Sequence, residues 1–146
     1  MAIKARRDPQ TLELVATLDD FTRQYLVTAL WSTSDDNDDP LDKNYEIEDI
    51  AFNSLAKAVR DCADFQERCR PALRDGFLDR RNYRGDSDAI SLAGHDFWLT
   101  RNGAGAGFWD GDWVDPVGDM LSKIAKRYSS IDIYVGDDRR LHLTTA

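Results

Sequence analysis

From Phe52 to Arg70 apolar residues return every three or four positions: Leu55, Val59, Cys62, Phe65 and Cys69, with Ala58 beside them. Lys57, Arg60, Asp61, Asp64, Glu67 and Arg68 fill the other faces. That is the period of a helix with one stripe to bury. Such a helix runs about five turns, so the rest of the chain must supply a surface that covers the stripe. Pro71 closes it, because proline lacks the amide and restricts the residue before it. The same stripe decides the cysteines. Cys62 and Cys69 lie about 10.5 Å apart along one helix axis, beyond the ~7 Å that a disulfide spans. They read as two reduced, buried thiols. Zinc would need two more nitrogen or sulfur ligands, and His95 and His142 are the only histidines.

The covering surface is visible on both sides of that helix. An earlier helix is expected over about Asp19 to Thr33, with Leu18, Phe21, Tyr25, Ala29 and Leu30 on one face and Asp19 and Asp20 at its start, where the dipole favours negative charge. Ser34 to Asn44 is polar, contains Pro40 and reads as a surface loop. Pro71 to Arg81 is expected to form a short helix with Leu73, Phe77 and Leu78 inward. Asp86 or Ser87 can cap a helix over about Ser87 to Arg101, its inner side Ile90, Ala93 or Gly94, Phe97 and Trp98. A strand at Asp96 to Thr100 is the alternative. Asn102-Gly103 supplies a helix stop, and Phe108-Trp109 a short strand. Asp115 with Pro116 can open a last helix carrying Val117, Met120, Leu121, Ile124 and Tyr128. Ile131 to Val135 alternates apolar and polar, Gly136-Asp137-Asp138 turns, and Arg139 to Thr144 returns as an antiparallel partner. Helices come first and strands gather late. The expected class is α+β, with about four helices packed on a small antiparallel sheet in the C-terminal half.

At 146 residues the chain is expected to be one domain, with residues 1–10 a flexible N-terminal segment. No window holds ~18 consecutive apolar residues, which excludes a membrane-spanning helix. The start is basic with no apolar stretch behind it, unlike a signal peptide, so the expected location is the cytoplasm.

The net charge is −8, and one segment concentrates it. Residues 35–49 hold eight carboxylates (Asp35, Asp36, Asp38, Asp39, Asp42, Glu46, Glu48, Asp49) against Lys43 alone. Aligned on Asp35, this stretch places Asp35, Asn37, Asp39 and Glu46 where a calcium loop holds ligands. Pro40 then falls where such a loop needs glycine, and proline cannot make that turn. The segment reads instead as a solvated loop or a negative face for a basic partner. Gly103, Gly105 and Gly107 lack the strand-then-helix context and the lysine of a phosphate loop, so they read as a connector. His95, Asp96, Asp110, Asp112 and Asp115 offer the residue types that hold Mg²⁺ or Mn²⁺ for phosphodiester hydrolysis, although Asp110-Gly111-Asp112 reads equally as a turn. Trp98, Phe108, Trp109, Trp113 and Tyr134, with Arg101, could stack single-stranded bases. The charge opposes the phosphate backbone that supplies most of such affinity. No cofactor or metal is expected, a metal-dependent hydrolase being the alternative, and no nucleophile–base set stands out.

Ala93-Gly94-His95-Asp96-Phe97-Trp98-Leu99-Thr100-Arg101-Asn102-Gly103, then Gly105 and Gly107-Phe108-Trp109-Asp110, resembles a set of small bacteriophage and prophage proteins of unassigned function. Phe21-Thr22-Arg23, Ala29-Leu30-Trp31-Ser32, Asp35-Asp36 and Tyr134-Val135-Gly136-Asp137-Asp138 resemble the same set, so the likeness runs from Phe21 to Asp138. It implies a phage or mobile-element origin and brings no activity or fold. It marks His95, Asp96, Trp98, Arg101 and Asp110 as a candidate motif site. In similar sequences a histidine is common where this chain has Ala104. The resulting expectation is a non-enzymatic accessory protein. It would capture a host or phage protein that carries a basic, nucleic-acid-binding surface, as a counter-defence inhibitor or nucleic-acid mimic. Asp35, Asp36, Asp38, Asp39 and Asp42 would make the contact.

Overall fold

The structure is a computed structural model that describes residues 7–86 and 88–145. Its elements are α1 (Pro9–Val15), α2 (Asp20–Ser32), two single 3₁₀ turns (Leu41–Lys43 and Ile47–Asp49), α3 (Phe52–Cys69), α4 (Ala89–Arg101), α5 (Val117–Ala125), β1 (Ile131–Val135) and β2 (Leu141–Thr145). The class is α+β, with five helices among the described residues where about four were expected. The extra one is α1. Its signal is local: Asp8 caps it by accepting from the Gln10 amide at 3.0 Å, and Pro9 takes the first helical position. Seven residues are too few to show periodicity. Of the segment expected to be flexible, residues 1–6 lie outside the described residues, and Arg7 to Gln10 are held by the contacts of α1 and of Asp49.

The stripe of α3 is covered as its period requires. Leu55, Ala58, Cys62, Phe65 and Cys69 are buried, and both cysteines are free thiols whose pKa burial pushes up, that of Cys69 to about 12. Phe65 stacks on Phe97 of α4 at 4.1 Å between centroids, with Phe21, Phe108 and Tyr128 around the pair. Helices α2 and α4 share the most extensive interface. At their crossing Gly94 lets the backbones meet, for a Cβ there would lie 2.1 Å from the Phe21 carbonyl oxygen. Gly94→Ala is therefore expected to cost about 1–3 kcal/mol, toward the upper end because backbone cannot step aside as a side chain can. A urea midpoint that is lower at unchanged slope would show it.

Several local expectations differ from the structure. Pro71 to Arg81 makes successive turns rather than a helix. Gly76 takes φ +87°, and Asp79 bonds the Arg81 amide, so the chain keeps turning back. Leu73 and Phe77 are buried but Leu78 is 63 % exposed. Helix α4 starts at Ala89, capped by Asp88, rather than by Asp86 or by Ser87, which lies outside the described residues. Phe108-Trp109 is a turn, not a strand. Among the described residues no strand pairs with it, and the buried Phe108 gives its amide to Thr100 Oγ1 instead. Helix α5 begins at Val117 with no side-chain cap from Asp115, and ends before Tyr128.

Among the described residues the sheet has two strands, paired Ile131↔Thr145 through Val135↔Leu141. The turn takes in Arg139, which adopts φ +62°, so β2 starts at Leu141 rather than Arg139. The outer edge of β2 is tied to the start of α3: the Ala51 amide donates to the Leu141 carbonyl at 2.9 Å, and the Leu143 amide to Ser54 Oγ at 3.0 Å. No helix of the described residues is long and apolar enough to cross a membrane.

Candidate functional site

The acidic segment is an ordered, internally bonded structure. Ser34 and Pro40 form an antiparallel bridge, the Asp35 amide bonds the Asp39 carbonyl, and Asp38 takes φ +65°, a conformation aspartate tolerates. Asp35 accepts from the amides of Asn37 and Asp39 at 2.8 and 3.1 Å, which is the turn-forming habit of an aspartate. Leu41 is buried and anchors the hairpin, its amide donating to the Thr33 carbonyl. Asp39 pairs with Lys43 at 3.2 Å. Glu46 and the buried Asp49 share Arg7, and Asp49 also accepts from the Glu46 amide. Asp36, Asp38 and Asp42 are left pointing to solvent. Of the five aspartates expected to contact a partner, Asp35 is thus engaged with its own backbone and Asp39 with a lysine. The calcium alternative fares worse. The residues it needs at both ends, Asp35 and Glu46, are engaged elsewhere.

The motif on α4 diverges. His95 Nδ1 lies 2.9 Å from Thr28 Oγ1, which also accepts from Gln24 Nε2. The imidazole stacks on Trp31, and burial lowers its pKa against the opposing pull of Asp110 and Asp112. Asp96, 2 % exposed, accepts from Trp113 Nε1 at 2.8 Å. Burial pushes its pKa up to about 7, and the charges of Asp112 and Asp110 push the same way. Trp98 is buried and donates from Nε1 to Ser32 Oγ at 2.9 Å. Asp110 accepts from the Gly107 amide at 3.0 Å.

Arg101 lies on another side of α4. It is 5 % exposed, bonds Tyr25 Oη and Asp61 at 3.0 Å each, and donates twice to the Ser129 carbonyl. The faces of Phe97 and Tyr128 lie 5.4 Å from the guanidinium carbon. Asn102 fastens the start of β1 by accepting from the Ile131 amide at 2.7 Å. The motif residues tie α4 to α2, to α3 and to the strand, and His95, Arg101 and Asp110 do not converge on one cleft. No group of three His, Cys, Asp or Glu that could hold a metal ion exists among the described residues. The base-stacking alternative loses most of its faces, since Trp98, Phe108 and Trp113 are buried; Trp109, 46 % exposed, and Tyr134 are open.

One feature of the surface has no counterpart in the sequence reading. The edge of β1 that faces away from β2 borders a groove, which the Ser34–Pro40 hairpin flanks on its far side. The only signal for it is the count of late strands: two strands cover each other on one edge apiece and leave two edges to be managed. Comparison of the chain with protein-family models, curated proteins and solved structures found no match in any of the three.

Proposed function

We propose that this chain is a binding protein that captures a partner with a basic surface through its acidic hairpin face. The observation that carries the reading is the exposure of Asp36 and Asp38 on a hairpin whose shape is set by its own backbone bonds, and of Asp42 in the 3₁₀ turn that follows it. Three exposed carboxylates within seven residues of chain present one local negative field to a cation that approaches within a Debye length, ~8 Å at physiological salt. A preformed hairpin loses little freedom on binding. The net charge of −8 adds long-range steering toward a basic site. The likeness to phage and prophage proteins extends the proposal to a host partner whose basic site normally handles nucleic acid. Occupying that site by mimicry would make the chain a counter-defence inhibitor working in the host cytoplasm.

The test is capture from a bacterial lysate, comparing the wild-type chain with Asp36→Asn, Asp38→Asn, Asp42→Asn combined. These three side chains leave the internal bonds of the hairpin intact, so the variant should melt like the wild type. A basic partner should be retained at ~50 mM salt by the wild type, lost at least about tenfold by the variant, and released from both near ~0.5 M. Retention that ignores both the substitutions and the salt would overturn the reading, as would a mobility shift of single-stranded oligonucleotides at low salt.

A further inference from the structure

The two edges of the sheet are treated differently. Strand pairing alternates between residues that bond across the ladder and residues whose amide and carbonyl face outward. Three bonds fix which is which. The Ile131 amide goes to Asn102, the Leu143 amide to Ser54, and the Gly136 amide crosses to the Arg140 carbonyl. Residues 132 and 134 therefore bond across to β2, and residues 131, 133 and 135 face out. On β2 the outward groups of Leu141 and Leu143 are met by Ala51 and Ser54. On β1 Asn102 takes the first outward amide, and the amides of Ile133 and Val135 have no partner among the described residues.

Those two amides open onto the groove beside β1. It is two hollows of ≈ 630 and ≈ 270 Å³ that share Ser34 and Ile133. Its floor includes Trp98, Leu99 and Leu41. Among the described residues its charged lining is Asp132 at one end and Asp35 and Asp36 at the other, with no lysine, arginine or histidine.

We infer that β1 accepts an extended, basic segment of a partner protein as a third strand of the sheet. The inference rests on the capture reading above and specifies its mode. Outward amides and carbonyls two residues apart, about 6.7 Å, match the repeat of any strand laid alongside. Specificity comes from the flanks. On one face the added strand sits beside Ile133 and Val135, above the apolar floor. On the other it sits beside Asp132 and Tyr134, where a cation is favoured and an acid repelled. The occupant is thus a segment that alternates apolar and cationic side chains. A second copy of this chain is disfavoured by the same groups, since pairing β1 with β1 would bring Asp132, Asp35 and Asp36 of two −8 molecules together.

The test uses the full chain and a capped seven-residue peptide alternating arginine and valine, with three companions. In one, glutamate replaces arginine; the other two are N-methylated on alternate residues in the two registers. The arginine peptide should bind and slow exchange of the Ile133 and Val135 amides, and the glutamate peptide should not bind. One methylated register should lose at least tenfold in affinity, and the other should bind nearly as well as the parent. Val135→Pro, which removes an outward donor and leaves the β1–β2 ladder whole, should lose a similar factor. Equal binding of both methylated peptides overturns strand addition while leaving charge-driven capture standing. Failure of every peptide overturns strand addition outright. Protection of the two amides that rises with protein concentration, without peptide, assigns the edge to a second copy and also overturns it.

Discussion

Asp96→Asn is expected to make the protein more stable than wild type at pH 8 and no more stable at pH 4. The reason is the carboxyl's position. Asp96 is buried against Trp113, whose indole N–H is its one hydrogen-bond donor among the described residues, and the charges that reach it, from Asp112 and Asp110, are negative. Its pKa is pushed up to about 7 in the fold, against ~3.9 for an aspartate in an unfolded chain. Between those two values the folded state holds a proton that the unfolded state has released. Stability must then fall as pH rises through that window, by up to ~1.4 kcal/mol per pH unit. Below pH ~4 the contribution is intact, and above about 7 the loss is complete. Asparagine keeps an acceptor for Trp113 and never ionises, so the variant lacks the decline. The advantage at pH 8 is a few kcal/mol, large beside the ~5–15 kcal/mol that holds a typical domain together. The aspartates with lowered pKa, such as Asp19, whose carboxylate accepts from Thr22 and Gln66, act in the opposite sense. They withdraw stability only as pH falls below the ordinary carboxylate range, so the windows do not overlap. Urea midpoints of both proteins from pH 4 to 8 decide the matter, and parallel profiles would contradict the burial argument.

How far such features could be read in advance depends on the range of the interaction that makes them. The stripe of α3, the face of α2 and the final hairpin are periodic over five residues or more, and each is where its period places it. Helix α1 and the turns over Pro71 to Arg81 rest on single bonds, from Asp8 to Gln10 and from Asp79 to Arg81. A residue-type pattern does not distinguish those from any other aspartate two residues before an amide. The acidic segment was plain from composition. What composition could not show is that Asp35 and Asp39 are engaged within the hairpin while Asp36, Asp38 and Asp42 remain open, because that turns on the left-handed backbone of Asp38. The motif on α4 stood out for its rare side chains. Their partners, Ser32, Thr28, Asp61 and Trp113, lie 17 to 67 residues away in sequence, so the sequence shows a dense motif on one helix but not that it is also where distant elements are joined.

Arg101→Met is the sharpest discriminator between those two meanings of the motif, and it is expected to destabilise the fold by about 3–5 kcal/mol. The cost does not come from losing an attractive ion pair as such, since burying two charges nearly cancels what their attraction returns. It comes from what stays behind: Asp61 with its close, buried countercharge gone and the longer, exposed Lys57 contact at 3.5 Å remaining, Tyr25 Oη without its donor, and the Ser129 carbonyl without two N–H groups. Arg101→Lys should recover only part of the loss. A single ammonium cannot serve all three acceptors in the geometry of the planar fork, nor lie flat against Phe97 and Tyr128. Asp61→Asn should cost less than Arg101→Met, because the guanidinium keeps Tyr25, Ser129 and both aromatic faces. Combining Asp61→Asn with Arg101→Met should cost less than the sum of the two, since the second change removes the charge that the first one strands. If denaturation instead finds Arg101→Met as stable as wild type while partner capture is lost, then the arginine is held for recognition. The bonds to Asp61, Tyr25 and Ser129 would then only park it between encounters.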